Sequence, residues 1–213
     1  MKKVALFDFD GTLTTKDTNR ILIIELIKHN PKRLIHVFLD LFYILLANKR
    51  NNIQDRKNVV IGKLIKGLSR SDLDRPLDKF KERVSVLFRD SALKAITEHK
   101  KQNNNILVVT ASPEFAISKV LEDFNIKIIG TSFDCIKNEY SGMLSSPNCI
   151  GNEKVNRIIK WQHENKDDVI YLECWGDSIE DIPMMLLAKE HFWIKSSNLN
   201  ELKKVDPEAN FIN

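Results

Sequence analysis

Asp8 and Asp10 stand two residues apart in the run Phe7-Asp8-Phe9-Asp10-Gly11-Thr12. On an extended strand, residues at that spacing point to the same side. Both carboxylates can therefore face one pocket, with Gly11 letting the chain turn sharply away. Two carboxylates so close repel each other, and a bound cation or a shared proton is expected between them. Three further groups carry chemistry: Thr110-Ala111-Ser112, Lys154, and Gly176-Asp177-Ser178 with Asp181 four residues after Asp177. Cleaving a phosphomonoester needs a nucleophile attacking in line, which a carboxylate can be, and a second group to protonate the leaving oxygen and then activate water. The phosphoryl charge needs a divalent cation, a lysine and oriented donors. Mg²⁺ takes hard oxygen ligands, usually one or two carboxylates with waters and phosphate. Asp8, Asp10, Asp177, Lys154 and Thr110 meet that list. Taken alone, Asp8 and Asp10 would equally suit a strand end whose aspartates cap the next helix; the other groups weigh against that reading.

These groups need elements that bring them together. Four short apolar runs, Val4–Phe9, Ile106–Thr110, Val169–Trp175 and Phe192–Lys195, read as buried parallel strands, with Ile126–Gly130 a fifth. Helical patterns lie between them over Ser91–Lys101, Pro113–Phe124, Glu153–Glu164 and Ile182–Lys189. The alternation predicts an α/β fold with a doubly wound, mostly parallel, Rossmann-like sheet. Ligands of such a sheet bind beyond the carboxyl ends of its strands, where three of the runs deliver their polar residues. Residues 131–149 carry the turn signals Tyr140-Ser141-Gly142 and Ser146-Pro147-Asn148 and predict a β-hairpin flap. Residues 16–90 read as helical throughout, broken at Asn30-Pro31 and Asn51-Asn52, and predict a helical cap inserted into a core of residues 1–15 and 91–213.

Composition agrees with a globular protein: 213 residues, 43% hydrophobic and 29% charged. Cys135, Cys149 and Cys174 form no even framework and no Cys-x-x-Cys pair, so free thiols in a reducing cytosol are expected. The start, Met-Lys-Lys followed by a short apolar run broken at Asp8, lacks the apolar core of an export signal. The net charge of +4 is uneven: residues 16–90 hold 17 Lys/Arg against 9 Asp/Glu, a net of +8, and the remainder holds 16 against 20. A basic cap favours anionic ligands or an anionic surface. It shows no nucleic-acid motif, and nucleic acid is not expected as a partner. The five histidines show no metal-ligand spacing and read as surface or cap residues, and the three tryptophans read as core.

The motifs Phe7-Asp8-Phe9-Asp10-Gly11-Thr12-Leu13, Val109-Thr110-Ala111-Ser112, Lys154 and Gly176-Asp177-Ser178-Ile179-Glu180-Asp181 resemble, in that order, the four motifs of the haloacid dehalogenase superfamily of phosphatases. Asp17-Thr18, Ala111-Ser112-Pro113-Glu114 and Gly151-Asn152-Glu153-Lys154-Val155 resemble the branch containing phosphoserine phosphatases and the bacterial phosphatidylglycerophosphatase C type. The resemblance implies a Mg²⁺-dependent phosphatase with a helical cap at the first insertion point. It implies that Asp8 is phosphorylated and that Asp10 is the acid/base while lending its backbone carbonyl to the metal. Asp8 and Asp177 would ligate Mg²⁺, and Asp181 would hold a metal-bound water or orient Lys154. Thr110 would grip the phosphoryl group, with Thr12, Ala111, Ser112 and Lys154 completing its binding site. Glu180 departs from the small polar residue or Asn common at its position; at a helix start it is expected to point to solvent.

The cap should decide the substrate. Asp17 matches an acidic residue that contacts the substrate amine in phosphoserine phosphatases, yet Asp17-Thr18 also suits an N-cap. Arg56 lies in the region of a carboxylate-binding arginine. On Leu34–Ala47, the residues His36, Asp40, Tyr43 and Ala47 share one helical stripe and the rest is apolar, with Lys28, Lys32, Arg33 before it and Lys49-Arg50 after it. Core packing is the commoner outcome for such a helix, and pairing with another subunit or a peripheral contact with an anionic membrane are the alternatives. The expected substrate is an anionic phosphomonoester, small or lipid, hydrolysed in the cytoplasm or at the inner face of the membrane. A phosphoserine-type metabolite phosphatase, a phosphotransferase sharing the phospho-aspartate and a non-catalytic scaffold are the alternatives.

Overall fold

The computed structural model of the protein describes residues 1–46, 53–166, 168–194 and 199–212. Ala47, Lys49-Arg50, Asn51-Asn52 and Lys195 lie outside them. Strand β1 (Lys2–Phe7) comes first, followed by four helices: α1 (Asn19–His29), α2 (Leu34–Leu46), α3 (Ile53–Ile65) and α4 (Arg70–Ser85). Helix α5 (Asp90–Lys101), β2 (Asn105–Pro113), α6 (Glu114–Val120) and β3 (Lys127–Thr131) return the chain to the sheet. The hairpin β4 (Phe133–Ile136) and β5 (Glu139–Leu144) precedes α7 (Asn152–Asn165) and β6 (Val169–Gly176). The chain closes with α8 (Ile182–Met185), β7 (Glu190–Ile194), α9 (Leu199–Val205) and β8 (Asn210–Ile212).

Six strands form one parallel sheet in the order β3-β2-β1-β6-β7-β8, and β4 and β5 pair separately as an antiparallel hairpin. Strand order reverses at β1, so the carboxyl ends of β1, β2 and β6 lie side by side, which is where this architecture binds ligands. The sheet is covered on both faces, and β1 is accordingly apolar on both sides. Ala5 and Phe7 pack with Leu22, Leu64, Ile96 and Ile117, whereas Val4 and Leu6 pack with Ile158, Met184 and Leu202. The apolar core under the first face runs without a break into helices α1, α3 and α4.

Several boundaries depart from the sequence pattern. Strand β1 ends at Phe7, and Phe9–Leu13 coils into a tight turn in which Gly11 has φ +86°. The helix expected over Ile182–Lys189 is α-helical only to Met185, because the following turn closes by i+3 bonds from Leu187 N–H to Met184 O and from Ala188 N–H to Met185 O. The hairpin turn falls at Lys137-Asn138, both at positive φ, and not at Tyr140–Gly142, which lies inside β5. Gly142 packs on Gly62 of α3, an approach too close for a Cβ on either residue.

Helix α2 departs most. Val37 is buried and Leu41 packs against the core, but Ile35 is 79% exposed, Phe38 61%, Leu39 78% and Phe42 55%. Core packing therefore takes only one narrow side of it. Among the histidines, His99 is buried, with Nε2 2.5 Å from Glu173 Oε1, so a surface position does not hold for it. Trp175 and Trp193 are buried as expected.

Candidate active site

One cleft opens at the carboxyl ends of β1, β2 and β6. Asp8, Asp10, Thr110, Ala111, Lys154, Asp177 and Asp181 form its floor. Asp8 leaves β1 in extended conformation, and its N–H donates to Trp175 O at 2.9 Å, which ties the end of β1 to β6. Asp10, also extended, lines the same cleft, and the chain turns away after it at Gly11. Gly11 is required there twice over: its φ is positive, and a Cβ on it would lie 2.7 Å from Asp177 Cγ.

Lys154 sits in the first turn of α7 with its ammonium turned inward, and Nζ donates to Asp8 Oδ1 and to Asp181 Oδ1, both at 2.6 Å. Burial by itself would lower the Lys154 pKa, but the charges of Asp181 and Asp8 outweigh it and hold the amine above its ordinary value. Burial raises the Asp8 carboxyl to about 7, against the pull of Lys154 in the opposite direction. The second oxygen of Asp181 accepts from the N–H groups of Asp177 and Ser178, both at 3.2 Å, and from Ser178 Oγ at 3.1 Å. Asp181 is therefore occupied on both oxygens, holding Lys154 and the loop that carries Asp177.

Asp10 is held from two elements. Its Oδ1 accepts from Thr18 N–H at 2.5 Å and Thr18 Oγ at 2.7 Å, and its Oδ2 accepts from Ser112 Oγ. Ser112 Oγ in turn accepts from Asn19 Nδ2 at 2.8 Å. Burial raises the Asp10 pKa, the charge of Asp17 adds to the rise, and the bonds from Ser112 and Thr18 oppose it.

Oxygen atoms of Asp8, Asp177 and Asp181 lie within 4.8 Å of one another. That is a hard, anionic donor set of the kind a small divalent cation takes.

Two expected phosphate ligands are placed elsewhere. Thr12 is wholly buried and does not line the cleft; its hydroxyl has no hydrogen-bond partner among the described residues. Ser112 spends its hydroxyl on Asp10 and its N–H on Thr110 Oγ at 3.0 Å, so it positions its neighbours and does not line the cleft. Arg56 is 3.6 Å from Asp40 of α2 and does not line the cleft either. Glu180 does line it, because the short turn Ile179–Asp181 carries it to the rim and not out to solvent alone.

Asp17 before α1, Asn19 and Arg20 of α1 and Lys57 of α3 form the other wall, with Ile150 beside them. Asp17 precedes Thr18, the N-cap of α1; its Oδ1 accepts from Asn19 N–H at 3.0 Å, and its Oδ2 pairs with the Lys57 ammonium. Asn19, Arg20, Lys57 and Ile150 were not singled out by sequence reasoning. For Lys57 a signal existed. The buried apolar residues of α3 are Val60, Ile61, Leu64 and Ile65, and one helical turn before them the centre of that face is position 57 and not 56.

A family model of haloacid dehalogenase-like hydrolases matches residues 5–186. Protein CicA of Caulobacter vibrioides is 24% identical over 196 residues, covering 86% of this chain and 82% of that protein. A protein of unknown function from Bordetella pertussis Tohama I superposes with a TM-score of 0.82 at 16% identity, covering 100% of this chain and 99% of that one. A phosphoserine phosphatase captured as a phospho-aspartyl intermediate analogue superposes with a TM-score of 0.63 at 18% identity, covering 99% and 92%. With its four motifs assembled at one cleft and the family match running from β1 through α1–α4 to α8 after β6, the chain belongs to the haloacid dehalogenase-like hydrolases.

Proposed function

We propose that the protein is a magnesium-dependent phosphomonoester hydrolase that works through a phosphorylated Asp8. The observation that carries this reading is the buried clamp of Lys154 on Asp8 and Asp181, in a cleft that also presents Asp10 and Asp177. Asp8 attacks phosphorus in line while Asp10 passes a proton to the departing oxygen. Asp10 then takes a proton from the water that opens the acyl phosphate. A buried, raised carboxyl held in place by Thr18 and Ser112 suits that double duty. Lys154 offsets the charge of Asp8 and of the arriving phosphate, and the Thr110 hydroxyl and the backbone around Ala111 hold the phosphoryl oxygens. The donor set fits Mg²⁺: Asp8 and Asp177 would hold the ion, with the Asp10 carbonyl, while Asp181 keeps Lys154 and the Asp177 loop in position. When bound, the cation supplies charge to the phosphoryl oxygens.

The cap wall supports a polar leaving group. Asp17, Asn19, Arg20 and Lys57 present both signs of charge, as a zwitterionic or hydroxylated phosphomonoester would require. An apolar chain on the substrate, as a phospholipid carries, would have to lie outside this cleft.

The test is hydrolysis of an aryl phosphate with Mg²⁺, with a chelator, and by Asp8→Asn. Turnover should need the metal and vanish in the variant, and a panel of phospho-amino acids, glycerol phosphates, sugar phosphates and nucleotides then ranks leaving groups. Turnover surviving both the chelator and the substitution would overturn the mechanism.

A further inference from the structure

Helix α2 presents Ile35, Phe38, Leu39 and Phe42 to solvent at the spacing i, i+3, i+4, i+7, each more than half exposed. That spacing makes one continuous apolar stripe along a single helix face. Isolated exposed apolar side chains are ordinary, but a contiguous stripe with two phenylalanines marks a surface that meets something. Its surroundings say what. Lys28 is well exposed, and Lys32 and His36 are exposed as well. From Lys28 to Leu46 the chain carries three Lys/Arg, namely Lys28, Lys32 and Arg33, and one acid, Asp40. Asp40 is already matched, 2.7 Å from Lys63 and 3.6 Å from Arg56. Glu25, the acid beside Lys28, is buried and matched by Lys28 at 3.1 Å and by Arg83, so the surroundings of the stripe carry a net positive charge.

A second copy of the chain would cover the stripe but bring like charges face to face. An anionic bilayer surface covers the stripe and matches the charge. No helix among the described residues is long and apolar enough to cross a membrane. The 13 residues of α2 span about 20 Å against a hydrocarbon core of about 30 Å, so the contact is in the plane of the surface. We propose that α2 docks the protein on anionic lipid, with Ile35, Phe38, Leu39 and Phe42 entering the boundary between headgroups and acyl chains and Lys28 and Lys32 meeting lipid phosphates. This surface is distinct from the cleft and does not depend on the phosphatase reading.

The experiment is cosedimentation of the full chain with vesicles of phosphatidylcholine containing phosphatidylglycerol, and with vesicles of phosphatidylcholine alone. The wild type should bind the anionic vesicles, less so as salt rises. Phe38→Ser/Leu39→Ser should weaken binding by more than about tenfold, and Lys28→Gln/Lys32→Gln should weaken it and flatten its salt dependence. Thermal midpoints close to the wild type's show that both variants fold, since all four side chains are at the surface. Sedimentation velocity without lipid runs alongside. The proposal is overturned if the wild type ignores anionic vesicles, if it binds both vesicle types equally, if the Phe38/Leu39 variant binds as well as the wild type, or if the chain is a dimer that this variant dissociates.

Discussion

Lys154→Met removes one charge from the most tightly coupled point of the cleft. Its Nζ is 2.6 Å from an oxygen of Asp8 and 2.6 Å from one of Asp181, and all three side chains are less than a tenth exposed. Methionine retains the apolar stem, so the loss is electrostatic and leaves two carboxyls buried against each other. Breaking a buried pair from one side costs about 3–5 kcal/mol. The carboxyls can escape part of that cost by binding protons, which makes the deficit depend on pH. Burial already lifts Asp8 to about 7 with the lysine present, and losing the cation lifts it further. In the unfolded chain the same carboxyl titrates near about 4. Between those values the folded variant binds more protons than the unfolded chain, so its stability falls as pH rises through the window. Lys154 itself, with its pKa raised in the fold, contributes stability to the wild type at every pH below the ordinary lysine value, and the variant lacks that. Because the wild type shares the fall in stability up to about pH 7, the deficit should change little between about pH 5 and about pH 7 and be wider by about 1 kcal/mol at about pH 8 than at about pH 5. Urea unfolding of both proteins at about pH 5 and about pH 8, in chelator so that no cation replaces the lysine, reads it from the midpoints, provided the m-values agree. An equal deficit at both pH values, or one under about 1 kcal/mol at about pH 8, would refute the reasoning, since Lys154 would then not be the charge that holds the two carboxylates.

Gly11→Ala places a Cβ against the Asp177 carboxylate at a φ of +86°. It should cost about 1–3 kcal/mol and weaken Mg²⁺ binding by at least about tenfold, measured by calorimetry; unchanged Mg²⁺ affinity would mean that Asp177 is free to shift. Of the three free cysteines, Cys149 and Cys174 are buried, and burial pushes the Cys149 thiol up to about 11 and the Cys174 thiol well above its ordinary value. A disulfide-exchange reagent should titrate only Cys135 in the native protein and all three after denaturation.

The floor of the cleft was legible because its chemistry sits on contiguous runs at strand ends. The spacing of Asp8 and Asp10, and of Asp177 and Asp181, is short enough for local geometry to fix, and the parallel strand order then places the runs side by side. What local geometry does not fix is where a hydroxyl points. Thr12 and Ser112 belong to the right runs, yet one is buried away from the cleft and the other is bonded to Asp10. On a helix, one residue of register is a rotation of 100°, which is why Arg56 was nominated and Lys57 lines the wall. The hairpin turn was misplaced because Gly142, a strong turn signal, serves close packing against Gly62, while Lys137-Asn138 takes the positive φ values. For α2 the pattern was ambiguous in itself: an apolar helix looks the same in sequence whether its second face meets a core or meets lipid.

Asp10 shows why cap and core resist being read separately. One carboxylate oxygen receives both the N–H and the hydroxyl of Thr18, at the start of the first cap helix, and the other receives Ser112, at the end of β2. Hydrogen bonds to a charged group contribute about 1.5–3 kcal/mol each. The acid/base residue of the proposed mechanism is therefore also the anchor of α1. Any movement of α1 away from the sheet must break those bonds or carry Asp10 along, and the first course loosens the proposed proton donor while the second displaces it. In the proposed mechanism the same carboxylate protonates the leaving group and holds α1 beside it, so a misplaced α1 would disturb substrate contacts and proton transfer together.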